Sequence, residues 1–383
     1  MHHQNIVFHG VLKRVPWAEL DELVVEHGAD FRVRRLTTKN QFIALLYGQL
    51  SGASSLRDVV TRLESQGAWL YHLGGKPVPR STLAEANAKR PSDVFMGLFA
   101  VLAKQVHRGL RRKIAETTYL IDSTSVRLNA HSQWAHFSTA VFGAKAHVIY
   151  DADADCPIYA AVTAANTNDI TAAQLMPIEP GATYVFDLGY YDYRWWAALD
   201  AQGCRIVTRF KSSTPLTLVE ELPLPEDSTI LSDRIGHLPA RQAASRTSPF
   251  QDPVREVRVK LDTGKILRIL SNDLDATAQE IADLYKRRWA IELFFRWVKQ
   301  ALKIKKFLGT SENAIRTQIA VALIAFLLLR LAHAAQNVVK SPLAFARLVA
   351  ANLMMRRPID RLLGSQPPPI RNKNQMAFQW AQI

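Results

Sequence analysis

The chain has 383 residues, 48% of them hydrophobic, and carries 48 Lys and Arg against 34 Asp and Glu for a formal net charge of +14. That length and apolar content exclude wholesale disorder and are enough for two or three domains. The positive excess favours a polyanionic partner, while two cysteines, Cys156 and Cys204, are too few for a disulfide framework or a zinc site.

Residues 1–10 lack the apolar segment of a signal peptide, and His2 and His3 read as an unstructured end. With so few cysteines, this predicts a protein of the reducing cytoplasm. Up to about residue 115 the periodicity is helical. Apolar residues fall at helical spacing over 17–27, 39–50 and 55–65, with Ser54 or Ser55 as N-cap of the last. A turn-rich stretch, Gly74-Gly75-Lys76-Pro77-Val78-Pro79, leads into a short helix over 80–90 that is basic at both ends. Such a helix resembles the second helix of a helix-turn-helix, so residues 1–115 are expected to be an all-α DNA-binding domain. An ordinary surface helix in a small bundle is the competing reading.

From Thr117 the pattern turns to strands. Residues 119–126 form a buried strand holding Asp122, and 144–150 and 158–163 are two more. The last two are joined by Asp151-Ala152-Asp153-Ala154-Asp155-Cys156-Pro157. Its Asp triplet begins like a calcium loop, but Cys156 and Val162 stand where Gly and Glu are required, so a solvated hairpin turn is expected. A short helix over 171–177, a strand over 183–187, a helix over 193–201 and a strand over 205–209 follow. Three strands, then helix, strand, helix, strand, is the order of an RNase H-like, retroviral-integrase-like α/β core.

Residues 211–272 add a β-rich insertion, with alternation over 256–261, a turn at Asp262-Thr263-Gly264 and a return strand over 265–270. A long helix over 277–306 comes next, then another over 312–338. The most apolar run of that helix, 319–329, is too short to span a bilayer and reads as core, so no membrane partner is expected. Pro367-Pro368-Pro369 opens a tail expected to be flexible. The expected divisions are 1–115, helical; 116–210, first part of the core; 211–272, insertion; 273–340, second part of the core; and 341–383, a C-terminal helix and tail.

In the long helix Tyr285, Arg288, Glu292 and Lys299 are spaced by three, four and seven, and at ~100° per residue they share one narrow stripe. Arg296 and Lys303 land beside it. Trp289, Leu293, Phe294, Phe295, Trp297 and Val298 cover most of the remaining circumference, which predicts a buried helix with a single polar edge. Residues 286–306 hold eight Lys or Arg against one Glu. A carboxylate among phosphate-binding cations points to metal-dependent chemistry on a nucleic-acid backbone. Three carboxylates then stand out: Asp122, Asp187 and Glu292. Hard divalent cations such as Mg²⁺ take oxygen ligands, and two ions ~3.5–4 Å apart can activate the attacking oxygen and stabilise the leaving one. Three gathered acids resist ionisation unless a cation sits between them.

The spacing Tyr285-x2-Arg288-x3-Glu292-x6-Lys299 resembles the Tyr-Arg-Glu-Lys signature of the insertion-sequence-4 family of DDE transposases. Ile121-Asp122-Ser123-Thr124, Gly143-Ala144-Lys145-Ala146-His147, Phe186-Asp187-Leu188-Gly189-Tyr190-Tyr191-Asp192 and Gly309-Thr310-Ser311-Glu312-Asn313-Ala314 are similar to further stretches of that family. The likeness covers roughly residues 5–338. It implies Asp122, Asp187 and Glu292 as a catalytic triad binding Mg²⁺, with Mn²⁺ as a substitute. It also implies that Tyr285, Arg288 and Lys299 grip transposon-end phosphates, with Arg296 and Lys303 beside them. A homodimer would pair two double-stranded ends, water would cut first, and the freed 3′-hydroxyl would attack target DNA in a cut-and-paste transposition. The protein would then be nucleoid-associated when bound to DNA. The rival readings are a stand-alone RNase H-like nuclease and a catalytically inactive DNA-binding relative. One departure stands out. Relatives that cut through a DNA hairpin hold a flipped base with an aromatic, typically a Trp of the insertion, yet 211–272 contains no Trp. Either another aromatic, such as Trp195, Trp196 or Trp289, takes that task, or the second strand is cut by a route without a hairpin.

Overall fold

The computed structural model describes residues 6–110, 117–138, 141–224, 229–239, 248–301 and 307–363. The readings made for His2, His3, Lys303 and the tail from Pro367 lie outside them. The amino-terminal part is helical: α1 (Val7–Leu12), α2 (Trp17–Glu26), α3 (Thr38–Ser51), α4 (Leu56–Glu64), α5 (Gly67–Leu70), α6 (Arg80–Lys89) and α7 (Asp93–Leu110). The hydroxyls of Thr37 and Ser55 accept the backbone N–H of Asn40 and Asp58, which fixes where α3 and α4 begin. A Cβ at Gly48 would lie 2.6 Å from Val59 Cγ2, so glycine there is what lets α4 close on α3.

The strands are β1 (Thr118–Leu128), β2 (His136–Ser138), β3 (Val141–Asp151), β4 (Cys156–Ala164), β5 (Thr183–Phe186), β6 (Arg205–Arg209), β7 (Thr217–Glu221), β8 (Ile230–His237), β9 (Val254–Lys260) and β10 (Ile266–Ser271). Among the described residues they make one sheet in the order β3-β1-β5-β6-β10-β9-β8-β7, with β2 and β4 both on the outer side of β3. Strands β1, β3 and β4 pair antiparallel, while β1, β5 and β6 run parallel. The 211–272 insertion does not leave this sheet but lengthens it, because β10 pairs antiparallel with β6.

Period-two alternation divides the strand side chains between two cores. Leu120, Val148, Tyr150, Val185 and Val207 join the core of the amino-terminal helices, whereas Tyr119, Ile121, Ile149, Tyr184, Phe186 and Ile206 join the other. The second face is covered by α8 (Asp169–Ala173) and α9 (Tyr193–Asp200), where Trp195 and Trp196 pack on Phe186. The first is covered by α10 (Ala278–Arg287), α11 (Trp289–Ala301), α12 (Glu312–Ala334) and α13 (Pro342–Asn352), together with α7. Helix α12 is long and apolar enough to cross a membrane, but 83% of its apolar window is buried inside the protein, as a core helix should be.

Three expectations are corrected. The Asp151–Asp155 turn is a hairpin but not a solvated one. Asp151 is fully buried, accepting the N–H of Asp153 and Ala154 and lying 2.7 Å from His107 Nε2, while Asp153 pairs with Arg287 and Asp155 with Arg330. The single helix over 277–306 is two, split at Arg288. There the chain tightens to i→i−3 bonds, Arg288 N–H to Tyr285 O at 3.1 Å and Ile291 N–H to Arg288 O at 3.2 Å. Finally, α11 is not enclosed all round, since Trp289 is 55% and Leu293 48% exposed.

Arg255 ties the far half of the sheet to the loop before α10. It is buried, meets Asp233 with two N–H···O bonds of 2.7 and 2.8 Å, and donates to the carbonyls of Leu274 and Ala276. Arg255→Ala would strand the buried Asp233 carboxylate, and it is expected to lower stability by about 3–5 kcal/mol. Urea unfolding measures this, and a loss below about 1 kcal/mol would mean that water already reaches the pair.

Candidate active site

The sheet register decides where the first two acids stand. Thr118 lies against Thr183, Tyr119 against Tyr184 and Leu120 against Val185. Continued by two residues, that parallel register sets Asp122 level with Asp187 on the adjoining strand end, about 4.8 Å away between backbones. Alternation puts both on the face of Leu120 and Val185, toward α11. Asp187 ends β5 and caps the tight turn that follows, its Oδ1 accepting the Gly189 N–H at 2.8 Å. Asp122 Oδ1 accepts the N–H of Ser123 at 2.7 Å. Glu292 comes from the first turn of α11, which packs on β1.

These carboxylates feel one another. Burial pushes the Asp122 carboxyl up to about 7, the negative charges of Asp187 and Glu292 add to the rise, and the Ser123 N–H and Arg288 oppose it. Among the described residues, however, no set of three His, Cys, Asp or Glu side chains is gathered closely enough to hold one ion. The Arg288 guanidinium stands between two of the acids, with Nη2 2.5 Å from Glu292 Oε1 and Nη1 3.5 Å from Asp122 Oδ2. The electrostatic neighbourhood and the direct contacts thus describe one cluster, held apart by an internal cation.

The predicted phosphate contacts distribute unevenly. Tyr285 is buried, 5.7 Å from ring centroid to the Arg288 guanidinium carbon, and close to Arg209 and Asp187. Arg288 is engaged with carboxylates rather than turned to solvent. Lys299, half-buried, lines a cleft of about 460 Å³ with Asp122, Ser123, Thr124, Glu292, Phe295 and the exposed Arg296. Burial lowers the Lys299 ammonium, and Asp122 raises it. Lys299 makes no ion pair among the described residues, which leaves its charge available to a ligand in the cleft. A second cavity of about 490 Å³ adjoins it between α10 and the insertion, lined by Arg209, Lys260, Tyr285, Lys286, Arg288 and Trp289 among others. Of the three tryptophan candidates, Trp195 and Trp196 are core residues, and Trp289 is the one at a cavity rim.

Sequence reasoning missed a polar cluster behind this site, formed by Ser123, Lys145, His147 and Asp169. The helix over 171–177 begins at Asp169 instead, and it is the fold that brings Asp169 against Ser123, while the pairing of β1 with β3 brings Lys145 and His147.

Comparisons with known proteins give the family. A family profile described as a transposase DDE domain matches residues 114–328, and one described as a domain of unknown function matches residues 3–76. A Sinorhizobium fredii chain named as transposase y4zB is 39% identical over 313 residues, covering 81% of this chain and 85% of that one. A Geobacillus stearothermophilus chain named as the transposase for insertion sequence element IS5377 is 29% identical over 265 residues, 65% of this chain and 66% of that one. A solved piggyBac transposase synaptic complex with hairpin DNA superposes with a TM-score of 0.43 at 11% identity, over 92% of this chain and 79% of that one. That last likeness is too slight to carry an argument.

The raised Asp122 carboxyl has a consequence for stability. Its ordinary value is 3.8 and its folded value about 7, so between them folding takes up a proton. The cost of ionised Asp122 therefore grows as pH rises through that window and is complete above it, at most about 4 kcal/mol. Asp122→Asn is expected to raise the thermal midpoint near pH 8 in EDTA and to leave it unchanged near pH 4. Equal midpoints at the higher pH would show that Asp122 ionises at its ordinary value.

Proposed function

The chain belongs to the transposase DDE domain family, and from that premise we propose that it binds the inverted repeats of an insertion sequence and cuts and joins DNA strands there. What carries this reading is the parallel register of β1 with β5, which continued by two residues sets Asp122 level with Asp187, with Glu292 on the helix that packs on β1. The order β4-β3-β1-β5-β6, three antiparallel strands followed by two parallel ones, supports an RNase H-like core over 116–210 and 273–340, with 211–272 as its insertion. The Tyr285, Arg288, Glu292, Lys299 spacing supports the insertion-sequence-4 branch. Residues 1–115 would add DNA contacts, although α6 is half committed to packing, with Leu83, Ala86 and Asn87 buried. Residues 341–383 would form the C-terminal helix and tail.

A divalent cation fits the donor set. Every donor is a hard carboxylate oxygen, and desolvated Asp122 is disfavoured as an anion by its own neighbours, a cost that a cation removes. Asp122, Asp187 and Glu292 would hold Mg²⁺, or Mn²⁺ in its place. Bound there, the ions would supply activation of the attacking oxygen and stabilisation of the leaving one. The remaining work falls to the chain itself. Arg288 neutralises Asp122 and Glu292 while DNA is absent, and an arriving phosphate competes for its guanidinium, freeing both acids. Lys299 and Arg296 line the cleft that the phosphate enters, Lys303 extends the basic run, and Tyr285 supports Arg288 from behind. Trp289 offers an exposed indole face at the adjoining cavity, where an unstacked base would find an aromatic surface and cations. A homodimer pairing two ends would complete the reaction, in the nucleoid of the cytoplasm.

Glu292→Gln is expected to abolish cutting of linear DNA bearing the element's own ends in Mg²⁺ while leaving end binding in place. Cutting at the normal rate would remove Glu292 from the mechanism. Cutting without regard to the ends would instead favour the stand-alone nuclease, and binding without cutting by the unaltered chain would favour an inactive relative. Lys299→Ala is expected to make the slope of log affinity against log salt shallower by about one unit. An unchanged slope would place Lys299 away from phosphate.

A further inference from the structure

Consecutive side chains of a strand point to opposite faces, so Ser123 lies behind the sheet from Asp122. It touches both sides of the problem. Its N–H donates to Asp122 Oδ1 at 2.7 Å, and its hydroxyl donates to Asp169 Oδ1 at 2.6 Å. Asp169 Oδ1 is also 3.1 Å from Lys145 Nζ, which is largely buried and donates to the Thr167 carbonyl at 2.9 Å. Lys145 and His147 come from β3, where His147 is paired in register with Ser123. His147 is fully buried, with Nε2 2.9 Å from Thr163 Oγ1 and Nδ1 3.6 Å from Asp169 Oδ1. Burial holds the imidazole neutral, its pKa lowered to about 4.

The other oxygen of Asp169 lies against the turn that holds the second acid. A Cβ built on Gly189 would lie 3.2 Å from Asp169 Oδ2 and 3.0 Å from Asp187 Oδ1, so the two carboxylates close on one residue from two sides. The Gly189 N–H is the group that holds Asp187. Tyr190, next in the chain, is buried with its hydroxyl near Asp122, Asp169 and Asp187. A fourth carboxylate so near the others is tolerated because Lys145 neutralises it. Asp169 is therefore bonded to the residue that orients Asp122 and packed on the residue that orients Asp187.

We propose that Asp169 is a positioning residue which, locked by Lys145, sets the separation of Asp122 and Asp187 through Ser123 on one side and the Gly189 turn on the other. This rests on the reading of Asp122 and Asp187 as the ion-binding pair. It gives the Gly143–His147 stretch a task, since its cation and its imidazole form the back wall that keeps Asp169 in place.

The test uses Asp169→Asn, Ser123→Ala and Ser123→Thr in the full chain, with two readouts. One is Mn²⁺ affinity of the DNA-free protein, followed by the electron paramagnetic resonance of free Mn²⁺. The other is the Mg²⁺ concentration that gives half-maximal end cleavage. Loss of a residue that orients a ligand typically costs about 10–100-fold in metal affinity or activity. Asp169→Asn and Ser123→Ala are expected to weaken Mn²⁺ by that factor and raise the Mg²⁺ requirement in step, with end binding unchanged. Ser123→Thr keeps the hydroxyl and should stay near the unaltered protein. Unchanged ion affinity and ion requirement in both disruptive variants would overturn the inference, even if their thermal midpoints fall. Should Asp169→Asn not fold, Ser123→Ala decides alone. If the unaltered chain cuts no ends while Asp169→Asn still weakens Mn²⁺, the proposed function falls and the positioning role stands.

Discussion

The parallel register of β1 with β5 is the constraint on which the rest of the site depends. A shift by one residue would send Asp122 or Asp187 to the opposite face, because side chains alternate along a strand. In the observed register both acids emerge level, on the same face, from the middle of a sheet where water is scarce. Burial there, to which the negative charge of Asp187 adds, pushes the Asp122 carboxyl up to about 7. The break between α10 and α11 belongs to the same electrostatic arrangement. It falls at Arg288, the residue whose guanidinium lies against Asp122 and Glu292.

Support for that register comes from both faces of the sheet. On one side Phe186 is wedged among Tyr190, Trp195 and Trp196, directly before Asp187. On the other, Phe294 and Trp297 of α11 pack edge-to-face with Phe326 of α12, which anchors the helix bearing Glu292. Helix α12 in turn contacts α3, α6 and α7, and Asn313 at its start bonds the backbone carbonyls of Asn87 and Arg90 and accepts the Ser92 N–H. The amino-terminal helices and the sheet thus share one apolar core. A force on the outer helices has a packed route to Glu292.

Most of this was legible in the sequence wherever one local signal decided the outcome. Thr277 with Glu280, and Ser55 with Asp58, announce helix starts that the structure keeps, each hydroxyl accepting the N–H three residues on. The alternation over 256–261 and the Asp262-Thr263-Gly264 turn gave the β9–β10 hairpin, with Gly264 at a φ of +79°. What was not legible depended on partners distant in the chain. The acids at 151–155 look like a solvated turn until α7, α10 and α12 bring His107, Arg287 and Arg330 to them. Asp169 carries no signal in the sequence, because its partners Ser123 and Lys145 come from β1 and β3. Arg288 looks like a free phosphate ligand until β1 delivers Asp122.

The misread face of α11 says something further about what the site is built to meet. An apolar helix surface is normally covered, since burying a large side chain is worth about 1.5–3 kcal/mol. Trp289 and Leu293 forgo about half of that, one turn apart on the helix that carries Glu292. Neither is isolated: Trp289 borders the cation-lined cavity, and Leu293 borders a second, apolar hollow of about 340 Å³ with Trp297 and Phe326. Exposed apolar surface flanked by positive charge suits a partner that is anionic along its backbone and flat and apolar at its bases. The stability surrendered on α11 is therefore placed where a nucleic acid could restore it, beside the acids that would act on its phosphates.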